Sequence, residues 1–161
     1  MTSKTDFTDE EWARLVRSPL VAGMAISLAD PGGPIEALKE SMAAAKPVLE
    51  TAKTGSDHEL IGAVSKDMAA KAQQRENPLK DFRPKGTMAG QEIIEELEGV
   101  NAILAEKATP EEAQAFREWL FEAAQRAAEA AKEGGFIGFG AEQVSERERE
   151  MLERVRGALS A

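Results

Sequence analysis

Apolar residues in this chain recur at three- and four-residue intervals, and hydroxyl-containing starts stand in front of them. Four sites match the S/T-x-x-E pattern: Thr8/Glu11, Ser56/Glu59, Thr109/Glu112 and Ser145/Glu148. In such a capping box the hydroxyl accepts from the third residue's N–H, and the Glu accepts from the cap's own N–H. Pro110 falls at a first helical position, where its missing donor is harmless. Ser18-Pro19 repeats the cap-and-proline arrangement without the Glu.

The spacing behind these starts predicts seven helices. Trp12, Leu15 and Val16 mark a short first helix, which Pro19 ends near Ser18. Leu20, Val21, Met24, Ile26 and Leu28 make a second, apolar nearly all round and therefore central. The run Asp30-Pro-Gly-Gly-Pro34 breaks the chain. Ile35, Leu38, Met42, Val48 and Leu49 make a third, with Pro47 inside it, which predicts a kink or a split. Leu60, Ile61, Val64 and Met68 make the fourth, and a proline-containing loop covers 77–86. The fifth, near 88–107, carries Met88, Ile93, Ile94, Leu97, Val100, Ile103 and Leu104. The sixth, near 110–133, carries Ala113, Phe116, Trp119, Leu120 and Ala123. It continues through six alanines in the nine residues 123–131. Small side chains there let another backbone approach closely. Gly134 is a natural left-handed stop. Leu152, Val155 and Leu159 mark the seventh. No segment alternates in the manner of a strand. The fold class is therefore all-α, a single-domain bundle of six to seven helices spanning 1–161. The fifth and sixth helices form a long antiparallel pair joined by a short turn, and residues 1–7 form a disordered lead-in.

Composition narrows the chemistry. The chain has 161 residues, no Cys, one His and a formal net charge of −9. The length suits one domain with a sizeable core. Without Cys there is no disulfide framework, thiolate zinc site or Cys nucleophile, and one imidazole cannot make a multi-histidine metal site. The acidic balance argues against nucleic acid and against an anionic membrane surface as partners.

The apolar run at 19–29 follows Arg14 and Arg17 and ends in a small-x-small pattern, which outlines a signal peptide. Asp6, Asp9, Glu10 and Glu11 stand where a cationic n-region belongs, so the segment reads instead as a buried helix. Its 11 residues are too few to span a bilayer. A cytoplasmic setting is the expectation.

Charge is uneven along the chain. Residues 91–122 hold nine acids and two bases, and residues 66–85 hold six bases and three acids. These segments read as two solvated faces packed side by side, or as complementary patches that steer self-association or a basic partner. In the last helix, Glu150 with Arg154 and Glu146 with Arg149 support an exposed face.

Candidate chemistry is sparse. His58 stands beside Ser56 and Asp57, but adjacent side chains diverge at a helix start and cannot line up nucleophile, base and orienter. A di-iron or di-manganese site needs Glu-x-x-His on two helices, and position 55 is Gly. No metal site and no cofactor are expected. The glycine-rich run 134–140 departs from G-x-G-x-x-G, because position 143 is Gln, and no Lys-Ser/Thr follows it. Its Phe136, Ile137 and Phe139 read as plugs over the bundle end. They also read as a loop presented to a partner or lifting as a lid.

The run 134–140 followed by Val144, Ser145, Glu148 and a short terminal helix resembles a group of small uncharacterised bacterial all-helical proteins. The opening Phe7-Thr8-x-Glu10-Glu11-Trp12 with a downstream Ala29-Asp30-Pro31 is similar to that group as well. The resemblance covers both ends of the chain and is weaker around 77–86. It implies a helical fold and brings no catalytic residues.

Three functional expectations follow. The first is a non-catalytic helical domain acting through protein contacts, including with a second copy of itself. The second is a bundle with a small-ligand cavity near Met24, Met42, Met68 and Met88, gated by the 134–140 loop. The third is an enzyme that uses carboxylates or His58, which requires those groups to meet in a cleft.

Overall fold

Thr8 starts the first long helix as its sequence predicts. Its N–H donates to Glu11 Oε2 at 2.8 Å, and the Glu11 N–H donates to Thr8 Oγ1 at 3.2 Å, closing the capping box. The computed structural model describes residues 2–29, 34–85, 88–133 and 146–160, and side chains at 2–29, 41–85, 88–130 and 146–160.

Helix α1, Asp9–Ala29, then runs unbroken through Pro19, where the sequence predicts two helices. Proline removes the N–H that would bond the Leu15 carbonyl. The buried Ser18 hydroxyl donates to that carbonyl instead, at 2.6 Å. Leu15, Val16, Val21, Ala22, Ala25 and Ile26 are all buried, so packing on both sides of Pro19 holds the halves in line. Helix α2, Pro34–Thr54, likewise continues through Pro47 without a split. It ends in a left-handed Gly55, φ 84°, whose N–H donates to the Thr51 carbonyl at 2.8 Å.

Helix α3, Glu59–Gln73, closes in a Schellman arrangement. The Glu76 N–H reaches the Lys71 carbonyl at 2.9 Å and the Arg75 N–H reaches Ala72 at 3.2 Å. Arg75 occupies the left-handed position, φ 58°, that glycine usually fills. Helices α4, Ala89–Lys107, α5, Pro110–Glu133, and α6, Glu146–Ala158, complete the set. There are six α-helices and no strand among the described residues.

Helix α1 is the axis of the bundle and touches all five others. Helices α4 and α5 have the lengths that the sequence predicts and touch each other, but α5 makes its broadest contact with α2 and then α1. Small residues explain this. Ala123, Ala124, Ala127 and Ala128 are fully or almost fully buried. A Cβ placed on Gly23 of α1 would stand 2.5 Å from the Ala44 Cβ of α2 and 3.9 Å from the Ala127 Cβ of α5. Three backbones therefore converge with only methyl groups between them. The buried face of α2 runs through Ala44 and Val48, while Met42 and Leu49, expected inside, are exposed.

The N-terminal residues depart from the predicted disorder. Lys4–Asp6 form a turn of 3-10 helix. Thr2 is 2% exposed, and its hydroxyl accepts the Thr109 N–H at 3.2 Å. Phe7 is buried 5.8 Å from the Trp12 ring.

Candidate functional site

Two pairs of arginines in the bundle are held differently, and the difference locates the candidate site. Arg14 and Arg17 lie three apart on α1 and face α4. Arg17 Nε and Nη2 donate to Glu96 Oε1 at 3.0 and 2.8 Å. Arg14 Nε donates to the same oxygen at 3.2 Å, and its Nη2 stands 3.1 Å from Oε2. Arg17 is 9% exposed and Glu96 is 8% exposed. The Arg17 guanidinium also lies 5.3 Å from the Phe82 ring. Arg14 presses on α4 so closely that a Cβ on Gly99 would stand 1.9 Å from its Nη2.

Arg14, Phe82 and Glu96 of this cluster share a cleft of about 350 Å³ with Asp81, Arg83, Glu92 and Glu95. The end of the basic segment and the start of the acidic one thus meet within one chain. The Lys85 N–H donates to Glu92 Oε2 at 3.1 Å across that junction. Two of the nine acids expected on a solvated face are structural: Glu96 in this cluster, and Glu112.

Glu112 corrects a further expectation. The box at Ser56/Glu59 is not closed. Helix α3 begins after His58, and its Glu59 and Leu60 N–H groups donate to the Glu112 carboxylate of α5 at 3.0 and 3.2 Å. The Ser56 hydroxyl accepts the His58 N–H at 3.1 Å. A carboxylate at a helix N-terminus is favoured by its free N–H groups and by the dipole. The start of α5 supplies that charge from across the bundle. His58 is half-buried, in an open cleft with Thr54, Gly55, Ser56 and Asp57.

Two other arginines, Arg117 and Arg156, line a cleft of about 500 Å³ between α5 and α6. Its walls are Gln114, Arg117, Glu118, Phe121, Gln125, Arg156, Leu159 and Ser160. The α5 members fall at intervals of three and four, a second stripe beside the core stripe of Phe116 and Leu120. Arg117 Nε donates to Asn101 Oδ1 at 2.7 Å, and Asn101 Nδ2 donates to the Ser160 carbonyl at 2.6 Å. Asn101 of α4 thereby joins α5 to the last turn of the chain. The Arg156 guanidinium lies 4.5 Å from the Phe121 ring. Neither Arg117 nor Arg156 has a carboxylate partner among the described residues. Glu118, the only acid in the wall among the described residues, accepts from Gln114 Nε2 at 2.8 Å.

Two carboxylates elsewhere are held ionised. Burial pushes the Asp67 carboxyl up, but donors from Lys4 Nζ at 2.8 Å and Trp12 Nε1 at 2.7 Å outweigh it and leave it below its ordinary range. Glu11 is lowered chiefly by Lys107 Nζ at 2.6 Å, then by the Thr8 N–H.

The residues singled out from sequence are scattered. Phe136, Ile137 and Phe139, with Ser145, lie outside the described residues. Met68 is buried and Met24 half-buried, while Met42 and Met88 are exposed. No methionine lines any of the clefts named above or the smaller one beside Trp12 and Asp67. Among the described residues, no three acid or imidazole groups converge where a metal ion could sit. No helix of those residues is long and apolar enough to cross a membrane. Sequence reasoning missed Glu96, although its place three after Ile93 and four before Val100 put it on the buried stripe. It also missed Arg117, Phe121 and Arg156, because nothing in the sequence pairs α5 with the final helix. Comparison with models of known protein families, with curated proteins and with solved structures finds no match.

Proposed function

We propose that this chain is a non-catalytic helical domain that acts by binding another protein, and that the α5–α6 cleft is its contact surface. The observation that carries this reading is the pair Arg117 and Arg156, unmatched by any carboxylate among the described residues and set beside Phe121 and Leu159. A cleft that combines an aromatic ring, an aliphatic side chain and arginine has the composition of an interaction centre. Self-association belongs to the same reading, with a second copy as the partner. The reading also takes the setting as cytoplasmic, with no nucleic acid, cofactor or membrane engaged.

The test is site-specific crosslinking in native extract. A photoreactive residue replaces Gln125, which is exposed in the cleft wall, and in a control it replaces Glu106, exposed on α4. A discrete adduct from position 125 and none from 106 is expected. Equal or absent adducts would remove the cleft as a contact surface. Sedimentation at low and high salt tells a second copy from a different chain.

One observation favours a second reading. About 500 Å³ lies within the usual range for small-molecule sites. A small ligand with an acidic group and an apolar body would use the same residues. This version places the ligand on the surface between α5 and α6, away from the methionines.

A further inference from the structure

We infer that the partner presents an acidic, amphipathic segment to the α5–α6 cleft, with carboxylates on Arg117 and Arg156 and an apolar side chain over Phe121 and Leu159. This rests on the cleft being the contact surface. Desolvation sets the requirement. Any chain that covers the cleft takes two guanidinium groups out of water. A buried cation without an anionic acceptor is strongly unfavourable, so a covering surface that is neutral or basic would be rejected.

The molecule solves the same problem internally at Arg14 and Arg17, which converge on the single Glu96 carboxylate. The α5–α6 cleft also holds two arginines, but without a carboxylate partner for either among the described residues. Glu118 lies in the same wall but makes no ion pair with either arginine, its Oε1 accepting instead from Gln114. Asn101 fixes the Arg117 Nε and leaves the terminal nitrogens of that guanidinium without a protein acceptor among the described residues. Arg156 is exposed and stacked on Phe121, so a carboxylate can reach it without displacing an internal ion pair.

The occupant also needs an apolar anchor. Phe121 is half-buried and Leu159 buried, and both line the same cleft as the two cations. A polyanion without apolar groups would leave that floor wet. Nucleic acid fits poorly for the same reason, and it would meet only two cations where a phosphate backbone demands a cluster. The net charge of −9 does not prevent docking. Fields from distant carboxylates fall off over about 8 Å at physiological salt, and contacts inside the cleft are nearer than that.

The experiment is a two-dimensional amide NMR titration of the full chain with capped hexapeptides. The acidic probe is Glu-Asp-Leu-Phe-Glu-Asp, and the control is Lys-Arg-Leu-Phe-Lys-Arg. Saturable shifts confined to 114–125 and 156–160 are expected with the acidic probe alone. Arg117→Gln together with Arg156→Gln should weaken that binding about tenfold or more, as should a rise from about 50 to about 300 mM NaCl, in the same direction. Amide spectra of the double variant establish that it is folded. No saturable shift with the acidic probe, or equal binding of the basic one, overturns the inference. Tighter binding of 4-phenylbutyrate than of the acidic hexapeptide overturns it in favour of a small carboxylate. A crosslinked partner at position 125 without acidic-peptide binding sinks this inference and leaves the contact surface standing. No crosslink sinks both.

Discussion

Two pairs of arginines in this bundle have opposite fates. Arg14 and Arg17 are folded in against Glu96 and the α4 backbone. Arg117 and Arg156 stand in a cleft with a ring, an amide and no carboxylate partner among the described residues. The first pair is part of the core in all but name. Removing its carboxylate leaves Arg17 buried without an anion and Arg14 unpaired at the cleft edge. In the second pair Arg156 is exposed over the Phe121 ring and Arg117 is half-buried, and neither is enclosed as Arg17 is. Pairing, more than burial, thus separates the two sets: Arg14 and Arg117 are both half-buried, but only Arg14 has a carboxylate partner among the described residues.

The largest effect should come from breaking the first cluster at its shared acceptor. Glu96→Ala should cost about 3–5 kcal/mol, the range for stranding buried charge. Urea unfolding followed by circular dichroism measures it. A loss under about 1 kcal/mol would mean that the arginines turn outward at little cost and that the two pairs do not differ in kind. Glu96→Gln keeps the shape and one acceptor, and should fall between.

Gly99→Ala attacks the same cluster from the backbone side. The new methyl would stand 1.9 Å from Arg14 Nη2 and 2.8 Å from its Cζ. The guanidinium must leave, and a loss of about 1–3 kcal/mol is expected. In an Arg14→Ala background the same substitution should be nearly neutral, because the atoms it strikes are gone. Additive losses would show that the glycine serves the helix and not the arginine.

Arg75 sharpens the contrast because its charge is beside the point. It occupies a left-handed backbone position, φ 58°, at the C-terminus of α3. A side chain there costs roughly 1 kcal/mol. Arg75→Gly should therefore stabilise by about that amount, a gain no other arginine substitution should give. Denaturant midpoints of the two proteins decide it.

Acid should expose the carboxylate side of the comparison. Asp67 is lowered below its ordinary value of 3.8 by Lys4 and Trp12, against the raising effect of burial. A depressed folded-state value contributes stability that is fully present above the unfolded value. That contribution is lost as pH falls through the lower, folded one. The link to Trp12 should therefore persist at pH 4 and weaken below it. Trp12 fluorescence in a Trp119→Phe background follows this directly, and Asp67→Asn should abolish the acid-dependent change. A transition centred above pH 4 would contradict the sign.

The helical pattern was legible wherever apolar spacing and caps agreed. The bounds of α4 and α5 and the closed box at Thr8/Glu11 were readable for that reason. The single helix across Pro19 was not, because it depends on a side-chain hydroxyl bonding the Leu15 carbonyl and on burial by the helices packed around it. The cap of α3 by Glu112 was not, because the acceptor comes from 53 residues away. Local boxes are visible in sequence only when no distant carboxylate competes for the same N–H groups. The α5–α6 cleft was half legible. The stripe of Arg117 and Phe121 has helical spacing, but its partners at 156–160 become neighbours only after folding, and Asn101 fixes them there.

The smallest expected effect is the one that tests the comparison most sharply. Arg117→Gln with Arg156→Gln removes two cations, as many as Arg14 and Arg17 supply to the core. Stability should nonetheless change by only about 0.5 kcal/mol per residue. The interactions at risk are an exposed cation–ring contact and one hydrogen bond to Asn101, each worth little when water can substitute. If the double variant instead lost several kcal/mol, the cleft would be a structural joint between α5 and α6, and its arginines would belong to the fold as fully as Arg17 does. If stability held while the acidic peptide no longer bound, the two pairs would be separated by function as well as by pairing. Measuring unfolding and peptide affinity on the same preparation makes those outcomes exclusive.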